Sequence, residues 1–287
     1  MDKLLEVSGL NKSYEDFSLK EVSFSLPEGC IAGFIGKNGA GKTTTIKTIL
    51  GLAEKDGGSV RIFGMDMETE EKQIKNRIGV VFDEGCFYEE LTLEEMKCVI
   101  APAYSSWCEE DFKGYLERFS LNPKQKIETL SKGMRLKYAL ALALSHKAEL
   151  LVMDEPTSGL DPLIRNQLLD ILKEFMEQGG RGVFFSTHIT SDLDKIADML
   201  ILIDRGRIVF QAEKDDLLES YRIVKGDKGK LDEDTRKLFL SLEENAYGFV
   251  GITGQLDEVK ERMPDIVIER PAVEDIMLAH VKKARRG

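Results

Sequence analysis

The 287 residues are 42% hydrophobic and 32% charged, enough apolar mass to bury a core in one large domain or two moderate ones. A formal net charge of -11 argues against broad binding to nucleic-acid backbones, and the short basic run at 282–286 does not reverse it. No apolar run approaches the roughly 20 residues that span a bilayer. The opening MDKLLEVSGL lacks the charged and long apolar regions of a signal peptide, so a cytosolic chain is expected.

Residues 4–7 and 19–26 read as short strands around a loop containing Tyr14. CIAGFIG (30–36) is apolar without alternation, the pattern of a strand buried on both faces, and it runs through a Gly-rich turn into the helically spaced TTTIKTILGL. SVRIFG (59–64) and RIGVVF (77–82) predict further strands. The texture from about 84 to 148 is helical, in LEEMKCVIAPAY, EEDFKGYLERF and MRLKYALALALS. AELLVMDE (148–155) predicts a buried strand, RNQLLDILKEFMEQ a helix, RGVFFSTH (181–188) a strand, DLDKIADML a helix and MLILIDRGRIVFQA a hairpin. Strands alternating with helices predict an α/β domain with a mainly parallel sheet, interrupted by a helical subdomain at about 84–148. Beyond about 220 the chain turns polar, and GFVGITG, LDEVKERM and DIVIER predict a small α+β domain. The boundary is placed at 1–218 and 219–287.

Cys30, Cys86, Cys98 and Cys108 form no CxxC pair, and the three histidines lie far from them in sequence, so buried free thiols are expected.

GKNGAGKT (36–43) fits G-x-x-x-x-G-K-[ST] between a predicted strand and a predicted helix. Gly36, Gly39 and Gly41 let the backbone curl so that N–H groups converge on phosphate oxygens at a helix N-terminus. Lys42 then reaches the β- and γ-phosphates, and the Thr43 hydroxyl ligates Mg²⁺. Asn38, Ala40 and Thr44 complete this nucleotide-binding set. LLVMDE (150–155) ends a core strand with Asp154, a candidate metal ligand, and Glu155, which can orient or deprotonate the attacking water. An acid pair after a strand is weak evidence alone; beside a phosphate loop it gains force.

LSKGM (130–134), SGLDP (158–162) and STH (186–188) follow in an order and spacing that, with the phosphate loop and LVMDE, resemble the nucleotide-binding domain of ABC ATPases over about residues 1–215. The fold so implied is a P-loop NTPase of RecA-like type with a helical subdomain. The wording is most similar to ATPase subunits of the ABC-2 type bacterial exporter group. Within it, FDEG, SKGM, SHKAELL and STHITSDL resemble subunits that export peptides or handle antimicrobial compounds, phenol-soluble modulins among them.

The resemblance implies the cofactors ATP and Mg²⁺. It implies a second ATPase subunit, with two ATP molecules sandwiched head to tail in a homodimer, and a transmembrane permease subunit on a separate chain. No nucleic-acid partner is implied, and the location is the cytoplasm, peripheral on the inner face of the membrane. Tyr14 matches the aromatic that stacks on adenine, although a partly buried loop tyrosine is the plainer alternative. Ser131 and Gly133 match the signature motif that meets the γ-phosphate on the opposite subunit. Asp161 matches the position that communicates across the dimer, and His188 matches the switch histidine. His146 and His280 match nothing and are read as structural.

Two departures stand out. The signature is LSKGM rather than LSGGQ, so Lys132 brings a charge to the interface or simply faces solvent. Where the family has a glutamine after a strand, this chain has none between Ile78 and Leu93. Asp83 fills the slot as a candidate metal ligand, Glu84 fills it one residue on, or both acids belong to a solvated turn. A soluble ABC ATPase acting on ribosomes or DNA is the alternative; such relatives usually carry a second nucleotide domain or a long coiled-coil insertion, and neither is read in this sequence. A P-loop kinase or GTPase leaves LSKGM and STH unexplained. Residues 219–287 resemble the C-terminal extension of exporter ATPases, ending in PAVEDIMLAH, with a regulatory or dimerising role and passive capping both open.

Overall fold

The computed structural model describes residues 2–82 and 87–284. Strand β1 (Lys3–Ser13) and β2 (Ser18–Pro27) pair antiparallel and extend well beyond the expected short strands, with register shifts along β1. The strand β3 (Ile31–Ile35) has all five residues buried and leads through the glycine loop to α1 (Lys42–Ile49). Next come β4 (Gly57–Ile62), β5 (Met65–Asp66), α2 (Glu71–Lys75) and β6 (Ile78–Phe82). Helices α3 (Leu93–Ile100), α4 (Glu109–Arg118) and α5 (Lys132–Ser145) occupy the predicted helical region. A capping box between Thr92 and Glu95 starts α3, and the buried Tyr138 of α5 donates its hydroxyl to the Leu93 carbonyl at 2.8 Å.

The α/β alternation resumes with β7 (Leu150–Asp154), α6 (Pro162–Met176), β8 (Gly182–Thr187), α7 (Thr190–Ile196), β9 (Met199–Asp204) and β10 (Arg207–Glu213). Helix α7 stops earlier than DLDKIADML predicts. Ala197 turns extended, Asp198 accepts from the Ile31 N–H at 2.8 Å and donates its own N–H back to the Ile31 carbonyl, and Met199 opens β9. The hydrophobic period is the same across the join, so only this tether to β3 marks the end.

The strands of the large sheet run β10-β9-β3-β8-β7-β6, parallel except for the β9–β10 hairpin. A smaller antiparallel sheet, β2-β1-β4-β5, covers one face. Side chains of the central strands alternate between two cores: Ala32, Phe34, Val152 and Phe184 join Leu5, Phe24 and Ile46, whereas Ile31, Ile35, Met153 and Phe185 join the helices on the other side. Phe24, Phe34 and Phe184 pack with ring centroids 5.3–5.6 Å apart. Burying each such ring contributes roughly 1.5–3 kcal/mol, which fixes the strand ends that carry the site.

After α8 (Lys214–Ser220) comes β11 (Arg222–Gly226), α9 (Glu233–Lys237), β12 (Phe239–Asn245), β13 (Gly248–Thr253), α10 (Leu256–Arg262) and β14 (Val267–Glu269). The strands form a third sheet, β12-β13-β11-β14, with its own small core around Val224, Phe249 and Val259. The last helix, α11 (Val273–Ala284), returns to the larger body, burying Val273, Ile276, Met277 and Val281 in the core that holds Leu193, Ile196 and Leu217.

The thiols depart in part from expectation. Cys30 is buried, and burial together with the Asp198 and Glu213 charges pushes its thiol up to about 12. Cys108 is half-buried and Cys98 lies exposed on α3, while Cys86 falls outside the described residues.

Candidate nucleotide site

The glycine loop keeps its shape for steric reasons. Gly41 sits at φ +115°, and a Cβ there would lie 2.7 Å from Phe17 and 2.9 Å from Leu19. A Cβ on Gly36 would lie 2.6 Å from the Ile203 carbonyl oxygen. These contacts force the backbone of 36–41 against β9 and leave the start of α1 open. No acidic side chain stands in the first turn of α1, so none of its own residues offsets the positive end of its dipole.

Beside this helix end lies a cavity of about 900 Å³ lined by Tyr14, Glu15, Asp16, Phe17, Asn38, Gly39, Gly41, Lys42, Thr43, Thr44 and Glu155. Eight of these residues are therefore ones that the sequence singles out, drawn from three separate segments. Tyr14 is half exposed, with the Lys12 ammonium 5.4 Å from its ring centroid, and its N–H donates to Phe17 O at 2.7 Å to close the loop. Gly36 and Ala40 shape the loop without lining the cavity.

The charged groups converge on Glu155. The Lys42 ammonium, 5% exposed, lies 3.0 Å from Glu155 Oε1 and donates to the carbonyls of Gly36 at 2.7 Å and Lys37 at 3.3 Å. The second carboxylate oxygen, Oε2, is 2.7 Å from His188 Nδ1. One carboxylate thus joins the loop lysine to the histidine at the end of β8. Glu155 itself sits at φ +50°, a left-handed conformation that disfavours a side chain. What holds it there is Ser186: its hydroxyl accepts the Glu155 N–H at 3.0 Å and donates to Asp154 Oδ1 at 2.6 Å.

Ser186 is a residue that motif reading overlooks. Parallel pairing of β7 and β8 sets Asp154 opposite Ser186, so the serine of STH lies beside the acid pair by register alone. Glu15, Asp16 and Phe17 were likewise unmarked, because a lining role in a loop carries no periodic signal. The slot called for Asp83, or Glu84, lies outside the described residues.

Ser131, Gly133 and Asp161 do not line this cavity; they make a second cluster. Ser131 caps α5, its hydroxyl accepting the Met134 N–H at 3.3 Å, and the first turn carries Lys132 and no acid. Asp161 caps α6, with Oδ1 accepting the N–H groups of Leu163 and Ile164 at 3.0 Å each. The two helix starts touch: a Cβ on Gly133 would lie 3.2 Å from Ile164. His146 and His280 stand apart from both clusters. His146 is buried and stacks on Tyr104 with centroids 3.8 Å apart, and His280 Nε2 lies 3.2 Å from the Tyr221 hydroxyl.

A glycine loop between a parallel strand and a helix, with its lysine in contact with the second acid of a strand-end pair, defines a P-loop nucleotide hydrolase. The family is narrower. Residues 19–158 match the family model described as ABC transporter. The chain is 35% identical over 224 residues to the linearmycin resistance ATP-binding protein LnrL of Bacillus subtilis, covering 75% of this chain and 70% of the relative. It is 31% identical over 225 residues to the bacitracin transport ATP-binding protein BcrA of Bacillus licheniformis, covering 77% and 74%. A solved ATP-binding subunit of an ABC transporter superposes with a TM-score of 0.67 at 32% identity, covering 75% of this chain and 92% of that one. The chain belongs to the ATP-binding subunits of ABC transporters, enzymes that bind ATP and couple its hydrolysis to transport. Among the described residues, no helix is long and apolar enough to cross a membrane.

Proposed function

We propose that this chain is the ATPase subunit of an ABC-2 type exporter, a homodimer that powers a separate permease chain carrying a peptide, antimicrobial or other amphipathic compound. Two observations support the export reading: the linearmycin-resistance and bacitracin-transport relatives, and the two half-sites. The nucleotide cavity and the Ser131–Asp161 cluster occupy different places on one chain, which suits a head-to-tail pair in which each subunit completes the other's site. Location at the inner membrane face follows from the permease. On this reading residues 1–218 form the ATPase domain and 219–287 an accessory domain.

The observation that carries the catalytic reading is the contact of Glu155 with both Lys42 and His188 at the cavity wall. In our assignment Tyr14 stacks on the adenine, while Asn38, Gly39, Gly41, Lys42, Thr43 and Thr44 cradle the phosphates. Glu155 accepts a proton from the attacking water, and His188 holds Glu155 and the γ-phosphate in register.

Hard oxygen donors suit Mg²⁺, and the candidates are of that kind: the exposed Thr43 hydroxyl and the Asp154 carboxylate, oriented by Ser186. Asp83 is proposed as a third from sequence alone. When bound, the cation would neutralise phosphate charge.

Lys42→Ala tests the phosphate-loop assignment. The ammonium is nearly buried among oxygen acceptors, so its loss should weaken ATP binding by 100-fold or more in a titration with a fluorescent ATP analogue. Unchanged affinity would overturn the assignment.

A further inference from the structure

Helix α7 begins two residues after His188, and four contacts from three neighbouring elements hold it. Toward β3, which feeds the glycine loop, the Leu193 side chain fills the space that a Cβ on Gly33 would need, 2.1 Å away. Toward α11, the Thr190 hydroxyl donates to Glu274 Oε2 at 3.5 Å. Toward α6, Lys195 donates to Asn166 Oδ1 at 3.0 Å on the solvent side.

The fourth contact lies beneath. Asp192 has no exposed surface, neither of its carboxylate oxygens has a hydrogen-bond partner among the described residues, and the nearest cation is Arg165, Nε to Oδ1 3.9 Å. Arg165 Nε is likewise buried, and no hydrogen-bond acceptor meets it among the described residues. A buried carboxylate without hydrogen bonds is unfavourable unless a nearby charge compensates it, so the pair holds α6 and α7 together with little freedom to part.

Both ends of this pair sit next to functional segments. Arg165 donates its N–H to the carbonyl of Asp161, the cap of α6, at 3.0 Å, and Asp192 lies in the first turn after His188. We propose that Arg165 and Asp192 are positioning residues: the pairing of the half-buried Arg165 with the fully buried Asp192 fixes α7 against α6 and thereby sets His188 Nδ1 at hydrogen-bond distance from Glu155. Movement at Asp161 then reaches His188 through two helix starts rather than through the sheet. The proposal rests on the reading of His188 as the partner of Glu155 in hydrolysis.

The test uses the full-length protein and two readouts. Only three histidines are present, so the Nδ1 resonance of His188 can be assigned by substitution and followed without nucleotide. Asp192→Asn, close to isosteric, should shift that resonance and lower ATP turnover at least tenfold with ATP affinity within twofold of the parent. Arg165→Lys keeps the charge, shortens the reach, and should change both readouts in the same direction; it serves if Asp192→Asn fails to fold. In a His188→Ala background, Asp192→Asn should lower turnover no further. The pair has no such role if the resonance stays put in the folded variants, or if the loss of turnover is equally large in the His188→Ala background. Normal turnover in His188→Ala alone would instead refute the hydrolytic reading of His188, leaving the resonance to decide the positioning role.

Discussion

Glu155 shows how much one side chain carries here. Its backbone is held at φ +50° by Ser186 and the strand end, and its two oxygens meet Lys42 and His188 separately. Replacing it by glutamine keeps size and backbone but removes the charge that can take a proton from water. We expect Glu155→Gln to bind ATP and elute from a sizing column as a dimer in ATP and Mg²⁺, with turnover reduced at least 100-fold; a variant that hydrolyses normally would remove Glu155 from the role of general base. The acid pair and the lysine were legible in the sequence because each follows a buried strand within a few residues. Ser186 was not, since it reaches Asp154 across 32 positions of chain through strand register.

At the level of elements, the strands of the large sheet announced themselves as unbroken apolar runs, and the helical block as 3.6-residue spacing. The ends were harder to read, because α7 stops at a tether to Ile31 rather than at a glycine or proline. The C-terminal end of α5 gives a test of element stability. His146 closes that helix, is 2% exposed, and stacks flat on Tyr104, and burial pushes its imidazole down to about 4. In the unfolded chain the ring takes up a proton near pH 6.5, while the folded chain leaves it neutral until about pH 4. The unfolded state therefore binds more protons in that window, and stability falls as the pH falls through it. The loss should total about 3 kcal/mol between neutral pH and about pH 4. Urea unfolding should show His146→Phe, which keeps the stacking, losing less stability over the same range by about that amount; parallel pH profiles would show that the imidazole is already charged in the folded state.

Over the whole molecule, the change of texture near residue 220 marked a new sheet, but not what happens at its end. PAVEDIMLAH reads from sequence as a closing tag, whereas α11 carries it back across the chain to seal α7 and β10. β12 was missed altogether, because FLSLEEN is an edge strand whose polar half faces solvent. The accessory region thus buries residues in two cores, with α11 also packing along β12, where Lys282 pairs with Glu243. The third sheet packs on Phe249 and Val259, and α11 packs on the larger body through Ile276, which has no exposed surface. Truncating either residue leaves a cavity worth about 2–5 kcal/mol, but the two should be felt in different places. Ile276→Ala should lower the midpoint of the main unfolding transition, with near-native far-ultraviolet signal up to that point, because the helix belongs to the same cooperative core as Leu193 and Leu217. Phe249→Ala should instead produce an early partial loss of strand signal, with the main transition little moved and ATP still bound through it. If both variants shift a single transition equally, residues 219–287 are folded as one with the nucleotide-binding body and the separate-domain proposal fails. If Ile276→Ala leaves the main midpoint unchanged, α11 is a passive cap on the larger body.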